Sequence, residues 1–290
     1  MFVPRKIREE KLKQILADDV GLGDVTVQAL IPPNLTVNAV IIAKSDGVAA
    51  GIEEVTIIAE YLDLKVKAKV VDGDAVKNKQ VLMEISGNAQ TILSAERTML
   101  NLLSRMSGIA TATRTLTEKI KKAGFKTKIA ATRKSAPGLL YFDKRAVVIG
   151  GGDPHRLHLD DMVLIKDNHI AIVGSPEEAV KKAKVNISFA KKIEVEVTQV
   201  SDVVKVAKEG ADAILLDNFS VEQVKEAAIL LEKADFLGKV ILEASGGIAA
   251  EDVLGYAAAK VDVISLGQLT HSVKALDISL EVLKEAKKAF

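Results

Sequence analysis

From about residue 125 the chain repeats one pattern, a short apolar run followed by an amphipathic stretch of helical period. The runs are KIAAT (128–132), MVLIKD (162–167), KIEVEV (192–197), AILLDN (213–218), KVILEA (239–244) and VDVISLG (261–267). Between them lie PEEAVKKAK, QVSDVVKVAKEG, SVEQVKEAAILLEKA and AEDVLGYAAAK, several with Ser or Asp near the start and Gly near the end. Those are the residues that cap helices. Repeated strand–helix units imply a parallel sheet, because a parallel neighbour is reached only through a crossover. Right-handed crossovers then leave a barrel or a doubly wound sheet. Nearly every run ends in a charged or Gly-rich group: Arg133–Lys134, Lys166–Asp167, Glu196, Asp217–Asn218, Glu243 to Gly247, and Gly267. A barrel gathers all these ends on one face, whereas a doubly wound sheet gathers only those at its switch point. Six runs are fewer than eight, so the barrel is expected to be incomplete or to hide a strand.

The first third has another texture. TVNAVIIAKS, LKVKAKVV and QVLMEIS are β-rich runs, separated by turns at SDG (45–47) and DGDAVKN (72–78). LKVKAKV alternates strictly, as a strand with one wet face does. Helices are predicted over Lys6–Asp18, Ile52–Tyr61 and Ala89–Met106, covering the other face of an antiparallel sheet. The fold class is therefore α/β: an N-terminal α+β open sandwich (1–108) and a C-terminal incomplete β/α barrel (109–272). The remainder (273–290) is predicted to be a helix, Val273 to Lys288, packed outside the barrel.

Composition removes several functions. The chain has no cysteine, so disulfides, thiolate metal sites and a cysteine nucleophile are excluded, which fits a reducing cytoplasm. No apolar stretch approaches ~18 residues, so no membrane span is expected. Net charge is +1 and aromatics are 3%, which disfavours nucleic acid as a partner. Any anion site must come from local clustering.

Four clusters supply it. In ATRKSAPG (131–138) two cations follow Thr132: Arg133, whose fork suits a planar carboxylate, and Lys134, which suits a phosphate. In GGGDPHRLHLDDMVLIKDNH (150–169), His155, Arg156 and Lys166 can form an anion pocket. HRLH would put His155 and His158 on one face if helical, but no third ligand of sensible spacing accompanies them, so His158 is assigned a structural role. Glu196 and Asp217 stand one strand–helix unit apart at one mouth, where they can hold Mg²⁺ or ribose hydroxyls. EASGGI (243–248) and SLGQLTHS (265–272) put Gly with Ser or Thr after the last two strands, where barrels bind phosphate. Together these point to a phosphorylated sugar reacting with an acid. No Walker loop, dinucleotide fingerprint or Ser–His–Asp order competes.

At these residues the sequence resembles the carboxylating quinolinate phosphoribosyltransferases of NAD biosynthesis. The likeness extends from GLGDVT (21–26) and AERTMLNLLSRMSGIAT (95–111) through ATRKSAPGLL, IEVEV, ILLDNFS and LEASGGI to ISLGQLTHS. It departs at SAPG, where the family often carries Thr-Leu-Pro-Gly, and keeps both cations. The resemblance implies an open sandwich, a barrel with fewer than eight strands, and a homodimer in which one subunit lends an Arg, here Arg97, to its neighbour's site. It implies Thr132, Arg133, His155 and Arg156 around the quinolinate carboxylates, with Lys134 and Lys166 where acid and donor meet. Glu196 and Asp217 would hold Mg²⁺ and ribose, and Ser245, Gly246, Gly247, Gly267 and His271 the phosphates of 5-phosphoribosyl 1-pyrophosphate. Lys134, Lys166, Glu196 and Asp217 form the expected catalytic set. A transferase for nicotinate or another acid, and a non-catalytic phosphometabolite-binding barrel, are the rival readings.

Overall fold

The N-terminal elements follow from local sequence. In the computed structural model, which describes residues 3–283, helices α1 (Arg5–Val20) and α2 (Val25–Leu30) precede strand β1 (Thr36–Ala43). Then come β2 (Gly47–Val48), α3 (Ile52–Tyr61), β3 (Lys65–Ala68), β4 (Ala75–Val76), β5 (Val81–Asn88) and the long helix α4 (Ala89–Lys122). The Asp24 side chain accepts from the Val27 N–H and starts α2. β1, β3 and β5 are antiparallel, and β3 is the edge strand whose Lys65 and Lys67 face solvent, a charged rim that resists further pairing. Buried Ile41, Leu82, Met83 and Ile85 of the sheet and Val55, Ile58, Ile92 and Met99 of the helices form this unit's interior.

The second half alternates as its periodicity predicts. β6 (Lys128–Ala130), α5 (Leu140–Ile149), β7 (Val163–Ile165), α6 (Asp167–Val173), α7 (Pro176–Asn186) and β8 (Ile193–Val197) come first. α8 (Val203–Glu209), β9 (Ala213–Asp217), α9 (Val221–Lys233), β10 (Ile241–Ser245), α10 (Val253–Ala258), β11 (Val263–Ser265) and α11 (Gln268–His271) follow. Ser175 caps α7 with Pro176 at its first position, and Ser220 and Gln223 form a capping box on α9. The strands form one parallel six-stranded sheet in the order β6-β11-β10-β9-β8-β7. It is an incomplete β/α barrel. On the free side of β6 a remnant of a further strand appears: Asp153 bridges Ala130 in parallel, its N–H donating to the Ile129 carbonyl at 2.8 Å and its carbonyl accepting from Ala131 at 3.0 Å.

One expectation is corrected. The helix over Val273–Lys288 is absent from the described part of that segment. Instead β12 (Ile278–Val282) pairs antiparallel with β1, Ala43 opposite Ile278 and Ala39 opposite Val282; residues 284–290 lie outside the described ones. ISLEV alternates with period two, and the exposed edge of β1 offers a ladder that outweighs local helix preference. The segment thus belongs to the compact unit formed by the chain up to Ala112 with Val148–Gly150, while Thr113–Val147 and Gly151–Ser272 form the other unit. Among the described residues no helix is long and apolar enough to cross a membrane.

Gly108 of α4 is what lets this segment in. A Cβ there would lie 2.2 Å from the Lys274 carbonyl oxygen and 2.9 Å from the Ala275 Cα. Gly108→Ala is therefore expected to destabilise by about 1–3 kcal/mol, although alanine in a free helix gains about 1 kcal/mol over glycine. Urea unfolding of the variant decides the sign.

Candidate functional site

Successive side chains on a strand point to opposite faces. Ile193, Val195 and Val197 of β8, Ile214 and Leu216 of β9, and Leu242 and Ala244 of β10 join one apolar core with the helices. Glu194, Glu196, Leu215, Asp217, Glu243 and Ser245 therefore take the other face. Register sets Glu196 and Glu243 on either side of Leu215, and Ser245 opposite Asp217. A slip of one residue would drive all four carboxylates into the helix-side core, so the apolar helix faces determine where the acids point.

At the C-terminal strand ends this inward face opens into a cleft of about 300 Å³. Thr132, Arg133 and Lys134 reach it after β6, His155 and Arg156 from the loop after α5, and Leu164 and Lys166 from β7. Glu196, Leu215, Asp217, Glu243, Ser245, Gly246 and Ser265 complete the lining. Among the described residues Arg133, Lys134 and Arg156 have no carboxylate within ion-pair distance. Burial, and then the charge of Arg133, lower the proton affinity of Arg156. The cleft therefore gathers mutually repelling cations whose repulsion an anion among them would relieve. Lys166 is the exception, its Nζ lying 3.2 Å from Glu196 Oε2.

Backbone bonds hold these groups. The Thr132 hydroxyl accepts from the Lys134 N–H at 3.1 Å, and the Thr270 hydroxyl donates to the Lys134 carbonyl at 2.6 Å. The Asn218 amide group donates to Asp217 Oδ2 at 2.7 Å, and the Asn218 N–H donates to the Ser245 carbonyl at 2.9 Å. Gly246, at φ 89°, passes so near that a Cβ would stand 2.4 Å from Asn218 Oδ1. Glu196 and Asp217 offer carboxylate oxygens to one cleft without forming an all-protein cage, which fits Mg²⁺, a cation that keeps substrate oxygens and water in its shell.

Beneath the cations lies a group of buried ionisable side chains. Nε2 of His155 is 3.2 Å from Glu243 Oε2 and 3.4 Å from Glu194 Oε2. Burial alone would lower the His155 pKa, but the two glutamates outweigh it and push it up to about 10. Burial, opposed by His155 and reinforced by Glu243, raises that of Glu194. The His155 Nδ1 accepts from the Arg156 N–H at 2.8 Å, which requires that nitrogen to carry no proton. While that bond stands the ring is the neutral Nε2–H tautomer; the second proton that the two glutamates favour can sit only on Nδ1 and would break the bond. Lys144, wholly buried on α5, donates to the Pro154 carbonyl and to the Arg156 carbonyl at 3.3 Å; burial pulls its pKa down to about 8.

The sequence profile of the quinolinate phosphoribosyl transferase N-terminal domain matches residues 24–107, and that of its C-terminal domain residues 109–281. The chain belongs to this family. A Methanocaldococcus jannaschii protein named "Probable nicotinate-nucleotide pyrophosphorylase (carboxylating)" is 46% identical over 277 residues, covering 94% of this chain and 96% of that one. The nicotinate-nucleotide pyrophosphorylase (carboxylating) of Mycobacterium leprae is 37% identical, covering 94% and 96%. The nicotinate-nucleotide pyrophosphorylase structure from Francisella tularensis superposes with a TM-score of 0.88 at 36% identity, over 97% of this chain and 98% of that one.

Of the residues expected in a family active site, ten line the cleft: Thr132, Arg133, Lys134, His155, Arg156, Lys166, Glu196, Asp217, Ser245 and Gly246. Gly247 follows at φ 59° with open space around it. Gly267 and His271 stand behind Lys134: a Cβ on Gly267 would meet His271 Cδ2 at 3.0 Å and Lys134 Cδ at 3.3 Å. Arg97 belongs to the other compact unit, exposed on α4 and without an ion-pair partner among the described residues. The His155–His158 segment is a loop, not a helix. The two histidines part, His158 joining exposed Asp160 and Asp161, of which Asp161 accepts from the Leu157 and His158 N–H groups. Sequence reasoning gave Lys144 and the inward pair Glu194 and Glu243 no role in the site. An acid inside an otherwise apolar β run was the available signal for the pair.

Proposed function

We propose that the protein transfers the phosphoribosyl group of 5-phosphoribosyl 1-pyrophosphate to quinolinate, releasing pyrophosphate and CO₂ and leaving nicotinate mononucleotide for NAD synthesis. The observation that carries this reading is that one cleft gathers the cations Arg133, Lys134, Arg156 and Lys166, the carboxylates Glu196 and Asp217, and the Ser245–Gly246 turn. Two carboxylates of the acid call for at least two forks: Arg133 and Arg156 supply them, with Arg97 lent by a second copy. Lys134 and Lys166 sit where the leaving and attacking groups meet, and their charge offsets that of the pyrophosphate as it departs. Glu196 and Asp217 orient the ribose, and Ser245, Gly246, Gly247, Gly267 and His271 serve the donor phosphates. Glu196 and Asp217 would also hold Mg²⁺, which when bound neutralises phosphate charge. The rest is orientation: the ring nitrogen is held against the anomeric carbon, the nitrogen made quaternary by that bond stabilises the electron pair left on the ring carbon as CO₂ departs, and that carbon then takes a proton from solvent. We place the working enzyme in the cytoplasm as a homodimer.

Purified protein given quinolinate, donor and Mg²⁺ is expected to release CO₂ and form nucleotide in equal amounts, with nicotinate a far weaker acceptor. Nucleotide formed from nicotinate at a comparable rate overturns the choice of acid. No pyrophosphate release with either acid overturns the transferase reading.

A further inference from the structure

A wholly buried lysine stands beside the cleft with no acid to answer it. Lys144 of α5 is 0% exposed, and among the described residues no carboxylate lies within ion-pair distance of its Nζ. Lysines are rarely kept so deep without a partner. Its bonds go instead to two main-chain carbonyls of the loop after α5, those of Pro154 and Arg156. The first carbonyl belongs to the peptide that enters His155, the second to the peptide that leaves Arg156. The two residues between those peptides are the two of this loop that line the cleft. We infer that Lys144 is a positioning residue: its amine fixes both bracketing peptides and so sets where the His155 and Arg156 side chains stand toward the acceptor acid. This rests on reading the cleft as the transferase site.

The loop needs such a clamp. His155 has φ 53°, a left-handed conformation that a bulky residue adopts only where its neighbours dictate it. Each bracketing peptide is held at both poles. Lys144 takes the Pro154 carbonyl, and Asp153 Oδ1 accepts the His155 N–H of the same peptide at 2.8 Å. Lys144 takes the Arg156 carbonyl at 3.3 Å, and Asp161 Oδ2 accepts the Leu157 N–H of that peptide at 2.6 Å. One nitrogen serves both carbonyls, so it ties the two peptides to each other as well as to α5. Even without its extra proton the amine keeps two N–H groups, one for each carbonyl, so the clamp does not depend on titration. Carbonyls also suit this place better than an acid would. After the larger effect of burial, Lys144 feels the charges of Asp153, Arg133 and Arg156, and a further carboxylate here would compete with the acceptor acid for the two arginines. The arrangement parallels the outer partners that orient a ligating side chain.

Lys144→Met, which keeps an apolar stem of similar length and removes the donors, tests this in two ways. Hydrogen exchange at the His155, Arg156 and Leu157 amides needs no substrate. It is expected to speed about tenfold, as loss of one hydrogen bond allows, while the amides of β8 and β9 keep their wild-type rates. In steady-state kinetics the variant is expected to raise KM for quinolinate about tenfold, the worth of one hydrogen bond to a charged group, and to leave KM for the donor unchanged. Lys144→Gln keeps an NH₂ donor on a stem one atom shorter and is expected to fall between methionine and wild type in both measurements. Loop exchange unchanged from wild type overturns the inference. So does a lowered melting temperature with both KM values unchanged, which is what a purely structural lysine gives. If Lys144→Met does not fold, the same two measurements on Lys144→Gln decide. Wild-type protein that lacks transferase activity refutes the functional reading instead, while the exchange result still decides whether Lys144 holds the loop.

Discussion

Arg133→Ala is expected to lower kcat/KM for quinolinate roughly 10- to 150-fold, because a charged hydrogen bond contributes ~1.5–3 kcal/mol and 1.36 kcal/mol is a factor of ten. The side chain is exposed and has no carboxylate partner among the described residues, so its removal orphans no buried charge. The melting temperature should therefore move by no more than about 2 °C. A second effect adds to it: Arg133 repels Arg156 and Lys144, and its deletion eases that crowding of cations. That easing also removes the strain an anion would have relieved, so it deepens the loss of acid affinity rather than repairing it. Arg133→Lys keeps the charge without the fork and should fall between wild type and alanine. Steady-state kinetics with each substrate varied make the check. Near-wild-type kcat/KM in the alanine variant sinks the assignment of Arg133, and a defect confined to the donor moves it to the other end of the cleft.

How far the sequence foretold this cleft depended on the range of the forces involved. Strands β6 to β11 were legible because each is an apolar run bounded by turn residues, a local signal. The cations Arg133, Lys134 and Lys166 were legible because a charge at the end of such a run has few structural uses. β12 was not: ISLEV lies beside LKEAKK, whose local preference is helical, while its partner β1 is far away in sequence. Asp153 contributes only one bridge to β6, too short for any period to reveal. The Glu194–His155–Glu243 group needs the register of β8 and β10 and the path of a loop after α5, none of which is written locally. Lys144 sits in LYFDKRAVVI, where a lysine reads as surface; what permits its burial is a pair of backbone carbonyls. Arg97 looked like an ordinary helix-surface charge, and only the family likeness singled it out.

Gly246→Ala is expected to be the most damaging small change in the cleft, lowering stability by about 2–5 kcal/mol and turnover by more than that loss explains. Two costs add. At φ 89° a residue with a Cβ is strained by about 1–2 kcal/mol. The new methyl would also stand 2.4 Å from Asn218 Oδ1 and 2.8 Å from the Asn218 backbone nitrogen, an overpacking cost of about 1–3 kcal/mol. The amide side chain can swing aside, but the backbone nitrogen cannot, since it donates to the Ser245 carbonyl. Either adjustment disturbs Asp217, because the same Asn218 holds its Oδ2. The neighbouring glycine is the control. Gly247 also has positive φ, at 59°, but a Cβ there meets nothing within 4 Å, so Gly247→Ala should suffer only the strain of about 1–2 kcal/mol. Urea unfolding and kcat/KM of the two variants, measured side by side, test the close approach to Asn218. Equal effects at the two positions would mean that strain alone makes these glycines necessary, and that Asn218 does not tie the glycine turn to the Asp217 end of the cleft.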